Sequence, residues 1–161
     1  MKTNLVTRAG WQKLDDELKY LWKIKRPQVT QAVSEAAALG DRSDNAEYKE
    51  GKRELRSIDR RVRFLVKRLD DLKIVDHGPE QIGKIFFGAW VELENEAGDV
   101  VQYRIVGTDE IDTKNHHITI DSPMARALIG KQVDDEVAVK TPCGLKLWFI
   151  NQIQYQPFAA P

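Results

Sequence analysis

Leu55, Ile58, Val62, Leu65, Leu69 and Leu72 follow one another at alternating steps of three and four residues, the a/d seam of a coiled coil. A stripe this narrow needs a matching stripe to bury it. The chain offers one upstream, where Trp11, Leu14, Leu18 and Leu21, then Val29, Val33 and Ala36, keep helical spacing behind Thr7, a plausible helix cap. Between the two runs, Gly40 can end one helix, and Ser43, Asp44 and Asn45 can start another. Asp44 followed by Glu47 has the form of a capping box. The expected structure is an antiparallel helical hairpin with a tight reversal. Arms of about 30 residues at 1.5 Å per residue extend ~45 Å, so the hairpin should protrude from a small domain. Pro27 lacks a backbone donor and crowds the preceding turn, which predicts a kink or short break near Arg26.

Past His77-Gly78-Pro79 the period changes from helical to alternating, placing the domain boundary between residues 76 and 77. Val91 and Leu93 alternate with Glu92 and Glu94. Val101, Tyr103 and Ile105 alternate with Gln102 and Arg104, and residues 95–99 supply the turn. Ile118 and Ile120 make a shorter strand, and Val137 and Val139 lead through Thr141-Pro142-Cys143-Gly144 into Leu145, Leu147 and Phe149. Ser122, Pro123 and Gly130 bracket a short helix as cap, first residue and stop. The fold class is therefore α+β: a helical hairpin over 1–76, then an antiparallel sheet of four or five strands with one short helix over 77–161. The tail from Gln156 has little to pack and should fray.

A formal net charge of zero hides a division. Residues 1–75 hold 18 Lys+Arg against 12 Asp+Glu, and the remainder holds 7 against 13. A basic first half is suited to polyanions and an acidic second half is not. Cys143 is the only cysteine, which excludes an intrachain disulfide. No apolar run reaches membrane-spanning length, so the expectation is a cytoplasmic protein without membrane contact. His77, His116 and His117 lack ligand spacing. No P-loop, nucleophile elbow or dinucleotide fingerprint is present, and the aromatic residues of the second half read as core before pocket.

Chemistry concentrates in two places. Asp41, Asp44 and Glu47 lie within seven residues at the hairpin's reversal. They can be read as helix-capping and solvated acids, or as an incomplete carboxylate site for a hard divalent cation whose other ligands come from elsewhere. Lys49, Lys52, Arg53, Arg56, Arg60, Arg63 and Lys67 recur every few residues along the second helix, apart from its apolar seam. The stripe suits a phosphate backbone, or is an ordinary solvated face. No aromatic series interrupts it, so sequence-specific base reading is not indicated.

The residues Gly40-Asp41-Arg42-Ser43-Asp44-Asn45-Ala46-Glu47-Tyr48, Ile58-Asp59-Arg60-Arg61-Val62, Phe87-Gly88-Ala89, Tyr103-Arg104-Ile105-Val106-Gly107 and Asp121-Ser122-Pro123-Met124-Ala125-Arg126-Ala127-Leu128 stand in the order found in another group of proteins. Through them the chain resembles the Gre transcript-cleavage factors over nearly its whole length, the GreB-type branch most closely. The resemblance implies an antiparallel coiled coil followed by an FKBP-like domain. It further implies binding to bacterial RNA polymerase at its secondary channel, where the arm stimulates the polymerase's own hydrolysis of backtracked RNA 3′ ends. On this reading the chain is not itself an enzyme, acts as a monomer and holds no cofactor stably alone, Mg2+ being shared only in the polymerase complex.

By position, the resemblance implies that Asp41 and Asp44 hold the shared magnesium ion and that Glu47 helps orient the attacking water. Where other members carry Glu, this chain has Asp44, one methylene shorter. Lys52, Arg53, Arg60 and Arg61 match the patch that contacts extruded RNA, and Asp121, Ser122 and Pro123 match the loop that grips the polymerase. Three other readings share much of this sequence: a channel-binding inhibitor, an FKBP-like isomerase or chaperone, and a coiled-coil scaffold without chemistry.

Overall fold

The computed structural model describes residues 3–40, 45–78 and 81–158. Its residues fall into two compact units. One joins the N-terminal residues through Gly10 to the chain from Lys73 onward, and the other is Trp11–Leu72. This differs from a single cut at residue 76, because the chain begins in the second-half domain before entering the hairpin. Strand β1 (Leu5–Val6) pairs in parallel with β2 (Lys73–Ile74), and the Val75 N–H donates to the Val6 carbonyl at 2.9 Å. A two-residue strand carries almost no periodicity, so nothing in the sequence separated residues 3–10 from the hairpin.

Helix α1 (Arg8–Tyr20) starts where expected, with the Gly10 N–H donating to Thr7 Oγ1 at 3.0 Å. It passes into a π-helical turn, Leu21–Lys25, and then α2 (Arg26–Ala37). The irregularity near Arg26 is therefore a widened turn upstream of Pro27. Pro27 offers no N–H, and the Arg26 N–H reaches back five residues to the Leu21 carbonyl. The apolar register shows why a widened turn fits. Leu21, Val29 and Val33 are separated by steps of eight and four, which drift off one face of a regular helix, and one wide turn restores the alignment.

Helix α3 (Ala46–Asp71) runs back along this segment. Arg61 pairs with Glu17, Arg26 with Asp59 and Lys25 with Glu54, so residues further along α3 meet residues earlier in the chain, as an antiparallel hairpin requires. Leu14, Val29, Ala36, Ile58 and Leu65 form the buried seam, Leu65 without any exposure. Near the closed end, Gly51 faces Val33. A Cβ there would lie 2.6 Å from Val33 Cγ2, so the missing side chain lets the helices approach.

The other unit holds a five-stranded sheet in the order β5-β4-β3-β7-β6, built from β3 (Trp90–Asn95), β4 (Val100–Val106), β5 (His117–Thr119), β6 (Glu136–Thr141) and β7 (Gly144–Gln154). The sheet is mixed, correcting the wholly antiparallel expectation: β3–β4, β3–β7 and β6–β7 are antiparallel, but β5 pairs in parallel with β4. Residues 107–116 explain the change. They form a 3-10 turn (Thr108–Glu110) and a tight turn closed by Asp112 and His117, a crossover that returns the chain to run beside β4 in the same direction. Helix α4 (Pro123–Leu128) covers one face through Ala125 and Leu128, closing a core of Ile85, Ala89, Val91, Leu93, Ile105, Val137 and Ile150.

Candidate functional site

Three groups of residues were singled out by sequence: the hairpin tip, the basic stripe of α3 and the loop before α4. At the tip, α2 ends at Ala37. Gly40 adopts φ +117°, a conformation that L side chains rarely take, and turns the chain away from the helix. The cap of α3 is Asn45, where Asp44 was the expected cap. Asn45 Oδ1 accepts from the Tyr48 N–H at 3.1 Å, and its Nδ2 donates to the Ala36 carbonyl at 2.7 Å. An amide does both at once, satisfying an orphan donor of α3 and a terminal acceptor of α2, whereas a carboxylate could only accept.

Asp41 and Asp44 lie outside the described residues. They occupy the four-residue connection between Gly40 and Asn45, whose two flanks Asn45 ties together. Glu47 sits exposed in the first turn of α3, where a negative charge is favoured. Among the described residues no three His, Cys, Asp or Glu side chains come together as a metal site.

Along α3, Lys52, Arg53, Arg60 and Arg61 are all exposed. They differ in their partners. Arg61 Nε donates to Glu17 at 2.7 Å and its guanidinium lies 5.2 Å from the Phe64 ring centre, while Arg53 pairs with Glu50 at 2.7 Å. Lys52 lies 6.0 Å from the Tyr48 ring centre, and neither Lys52 nor Arg60 has an ion-pair partner among the described residues. On the neighbouring turn, the hydrogen bond from Arg26 holds the Asp59 carboxyl below its ordinary pKa.

In the loop before α4, Asp121 Oδ2 accepts from the Thr3 backbone N–H at 3.0 Å, the Thr3 hydroxyl at 3.3 Å and the Thr108 hydroxyl at 3.1 Å. The Asp121 N–H donates to Thr119 Oγ1 at 3.2 Å. Ser122 Oγ caps α4 by accepting from the Ala125 N–H at 3.1 Å, and Pro123 follows as its exposed first residue. The Thr3 N–H chiefly, aided by both hydroxyls and by Arg126, holds the Asp121 carboxyl below its usual range against the opposing effect of burial. A second carboxylate also gathers donors from separate segments. Glu110 accepts from the Thr7 N–H at 3.0 Å, the Gly107 N–H at 2.9 Å and the Thr7 hydroxyl.

Sequence reasoning missed Asn45 as the tie, Thr3 and Thr108 as partners of Asp121, and Thr7 as the partner of Glu110. The side chains of Asn45 and its helix neighbours carry a local signal, since Asn is a preferred cap. Thr3 and Asp121 are 118 positions apart, and no local pattern links them.

Comparison with known proteins matches both halves of the chain. The family model described as transcription elongation factor, N-terminal, matches residues 4–74, and that described as transcription elongation factor, GreA/GreB, C-term, matches residues 79–155. The chain is 66% identical to transcription elongation factor GreB of Haemophilus ducreyi over 154 residues, covering 96% of this chain and 95% of that protein. It is 65% identical to transcription elongation factor GreB of Vibrio cholerae over 158 residues, covering 97% and 98%. A solved structure described as the transcription factor Gfh1 aligns with a TM-score of 0.45 at 25% identity, covering 95% of this chain and 99% of that one. With both halves matched in order and nearly the full length shared, the chain belongs to the GreA/GreB family of transcription elongation factors.

Proposed function

We propose that this elongation factor binds bacterial RNA polymerase at the secondary channel and stimulates the polymerase's own hydrolysis of backtracked RNA 3′ ends. The observation that carries the proposal is the tie from Asn45 to Ala36, which brings both flanks of the segment holding Asp41 and Asp44 together at the closed end of an antiparallel hairpin. Acids at the end of a narrow support can reach an active centre that a globular surface cannot enter. The chain acts as a monomer and is not itself the hydrolase.

The donor set fits that role. Two carboxylates on a four-residue connection supply hard oxygen ligands, too few to complete an octahedral magnesium site, so they serve as a donated part of a shared one. Asp41 and Asp44 would hold the ion, which when bound supplies charge stabilisation to the oxygens of the displacement. Glu47, exposed one turn into α3, orients the attacking water, and Lys52, Arg53, Arg60 and Arg61 hold the extruded RNA by its phosphates. Asp121, Ser122 and Pro123 provide the grip on the polymerase.

The test is a defined stalled complex with magnesium, whose RNA is sized after adding the factor. The double change Asp41→Asn and Asp44→Asn should abolish shortening while binding to polymerase persists. Undiminished shortening by that variant would overturn the assignment, and a block of shortening by the unaltered chain would mark it as an inhibitor.

A further inference from the structure

Of the three residues assigned to the polymerase grip, only Pro123 is exposed; Asp121 and Ser122 are half-buried. Ser122 spends its hydroxyl oxygen on the Ala125 N–H as the cap of α4. On Asp121, three donors converge on Oδ2, and they come from two other segments: Thr3 at the start of the chain and Thr108 beyond the end of β4.

The hydrogens in this cluster can be placed without conflict. Thr108 Oγ1 lies 3.1 Å from Asp121 Oδ2 and 3.3 Å from Thr119 Oγ1. With its one hydrogen given to the carboxylate, Thr108 accepts from the Thr119 hydroxyl, whose oxygen in turn accepts from the Asp121 N–H. The Ser122 N–H donates to the Thr119 carbonyl at 2.9 Å. Side chain and backbone of residues 119–122 are thus held from both sides. A carboxylate oxygen suits this position because it accepts several donors and strengthens each bond by its charge.

We infer that Asp121 and its partners Thr3 and Thr108 are positioning residues for polymerase docking: the carboxylate knots three segments together and so fixes the loop that presents Pro123. The inference rests on the reading of residues 121–123 as the polymerase grip and assigns different work to its members. Thr3 and Thr108 join the docking machinery without touching the partner. A loop held in its bound shape loses less freedom on association, so the knot acts on affinity. Once the factor is bound, the rate of cleavage is set at the hairpin tip.

The experiment titrates the full chain against stalled complexes and reads two quantities, the factor concentration at half-maximal cleavage and the rate at saturation. Thr3→Val with Thr108→Val should raise the half-saturating concentration about tenfold, the scale expected when hydrogen bonds to a charged group are lost, with the saturated rate unchanged. Thr3→Ser with Thr108→Ser should restore it. Amide exchange of Asp121 and Ser122 should quicken in the valine variant, while Pro123→Glu should weaken docking with exchange unaltered. If Asp121→Asn weakens docking and the valine variant matches the unaltered chain, Asp121 is a direct contact and the inference is overturned. If Asp121→Asn and Pro123→Glu both dock normally, the grip assignment itself falls, a distinguishable result.

Discussion

Arg26 Nε donates to Asp59 Oδ1 at 2.7 Å while the same guanidinium lies 5.4 Å from the Trp22 ring centre, so one side chain joins α2, α3 and the π-helical turn. Trp22 and Arg26 stand four residues apart, a spacing that puts side chains on one face of a helix. The hydrogen bond from Arg26 holds the Asp59 carboxyl below its ordinary value of 3.8. A carboxyl depressed in the folded state contributes stability above the unfolded pKa and loses it as pH falls through the folded one. The thermal midpoint of the unaltered chain should therefore exceed that of Asp59→Asn near neutrality. The gap should close as pH falls below about 4. A gap independent of pH would show that the pair contributes through packing alone.

Asn45 performs two functions that substitution can separate. Asn45→Ala removes the cap and the tie together, and loss of such a cap costs about 1 kcal/mol, measurable by urea unfolding. Asn45→Asp keeps an acceptor for the Tyr48 N–H but has no donor for the Ala36 carbonyl. The Asp variant should thus recover most of the stability and still lose stimulated cleavage, since the flanks of the Asp41–Asp44 segment are no longer joined. Full cleavage by Asn45→Asp would show that the cap alone suffices.

Gly51 tests the packing of the hairpin near its closed end. Alanine is favoured over glycine in a helix by about 1 kcal/mol, yet the new methyl would meet Val33 Cγ2 at 2.6 Å. Overpacking should prevail, making Gly51→Ala destabilising by about 1 kcal/mol or more. Adding Val33→Ala should recover part of that loss, a coupling a double-mutant cycle reads directly. By contrast, Leu65→Ala leaves a cavity in the fully buried seam and should cost about 2–5 kcal/mol.

These residues also show what the sequence could reveal. Leu55 to Leu72 exposed the hairpin because a coiled-coil seam repeats locally, and the alternation at Val91–Leu93 and Val101–Ile105 exposed β3 and β4 for the same reason. Ser122 and Thr7 were legible as caps, being immediate neighbours of the helices they start. The parallel direction of β5 was not, since three residues of strand carry no sign of direction. The assignment of residues 3–10 and the knots around Asp121 and Glu110 depend on pairings between segments far apart in the chain, set by the assembled fold. The spacing of Leu21, Val29 and Val33 did hold a local signal for the wide turn, partly masked by Pro27.

The basic stripe carries a quantitative expectation. Each phosphate neutralised on a single strand contributes about 0.7 to the slope of log affinity against log salt. Lys52 and Arg60 point into solvent without ion-pair partners among the described residues, whereas Arg61 already donates twice to Glu17, at 2.7 and 3.1 Å. An arginine bound to a carboxylate must give up that pairing, or share it, before it can neutralise a phosphate. Replacing Lys52 or Arg60 with Ala should therefore flatten the salt dependence of RNA crosslinking in stalled complexes by about one contact each. Arg61→Ala should flatten it less, and Glu17→Gln should steepen it by releasing Arg61. Equal effects at Arg60 and Arg61 would mean that the Glu17 pair yields freely to RNA, and no effect at any of the three would return the stripe to an ordinary charged surface.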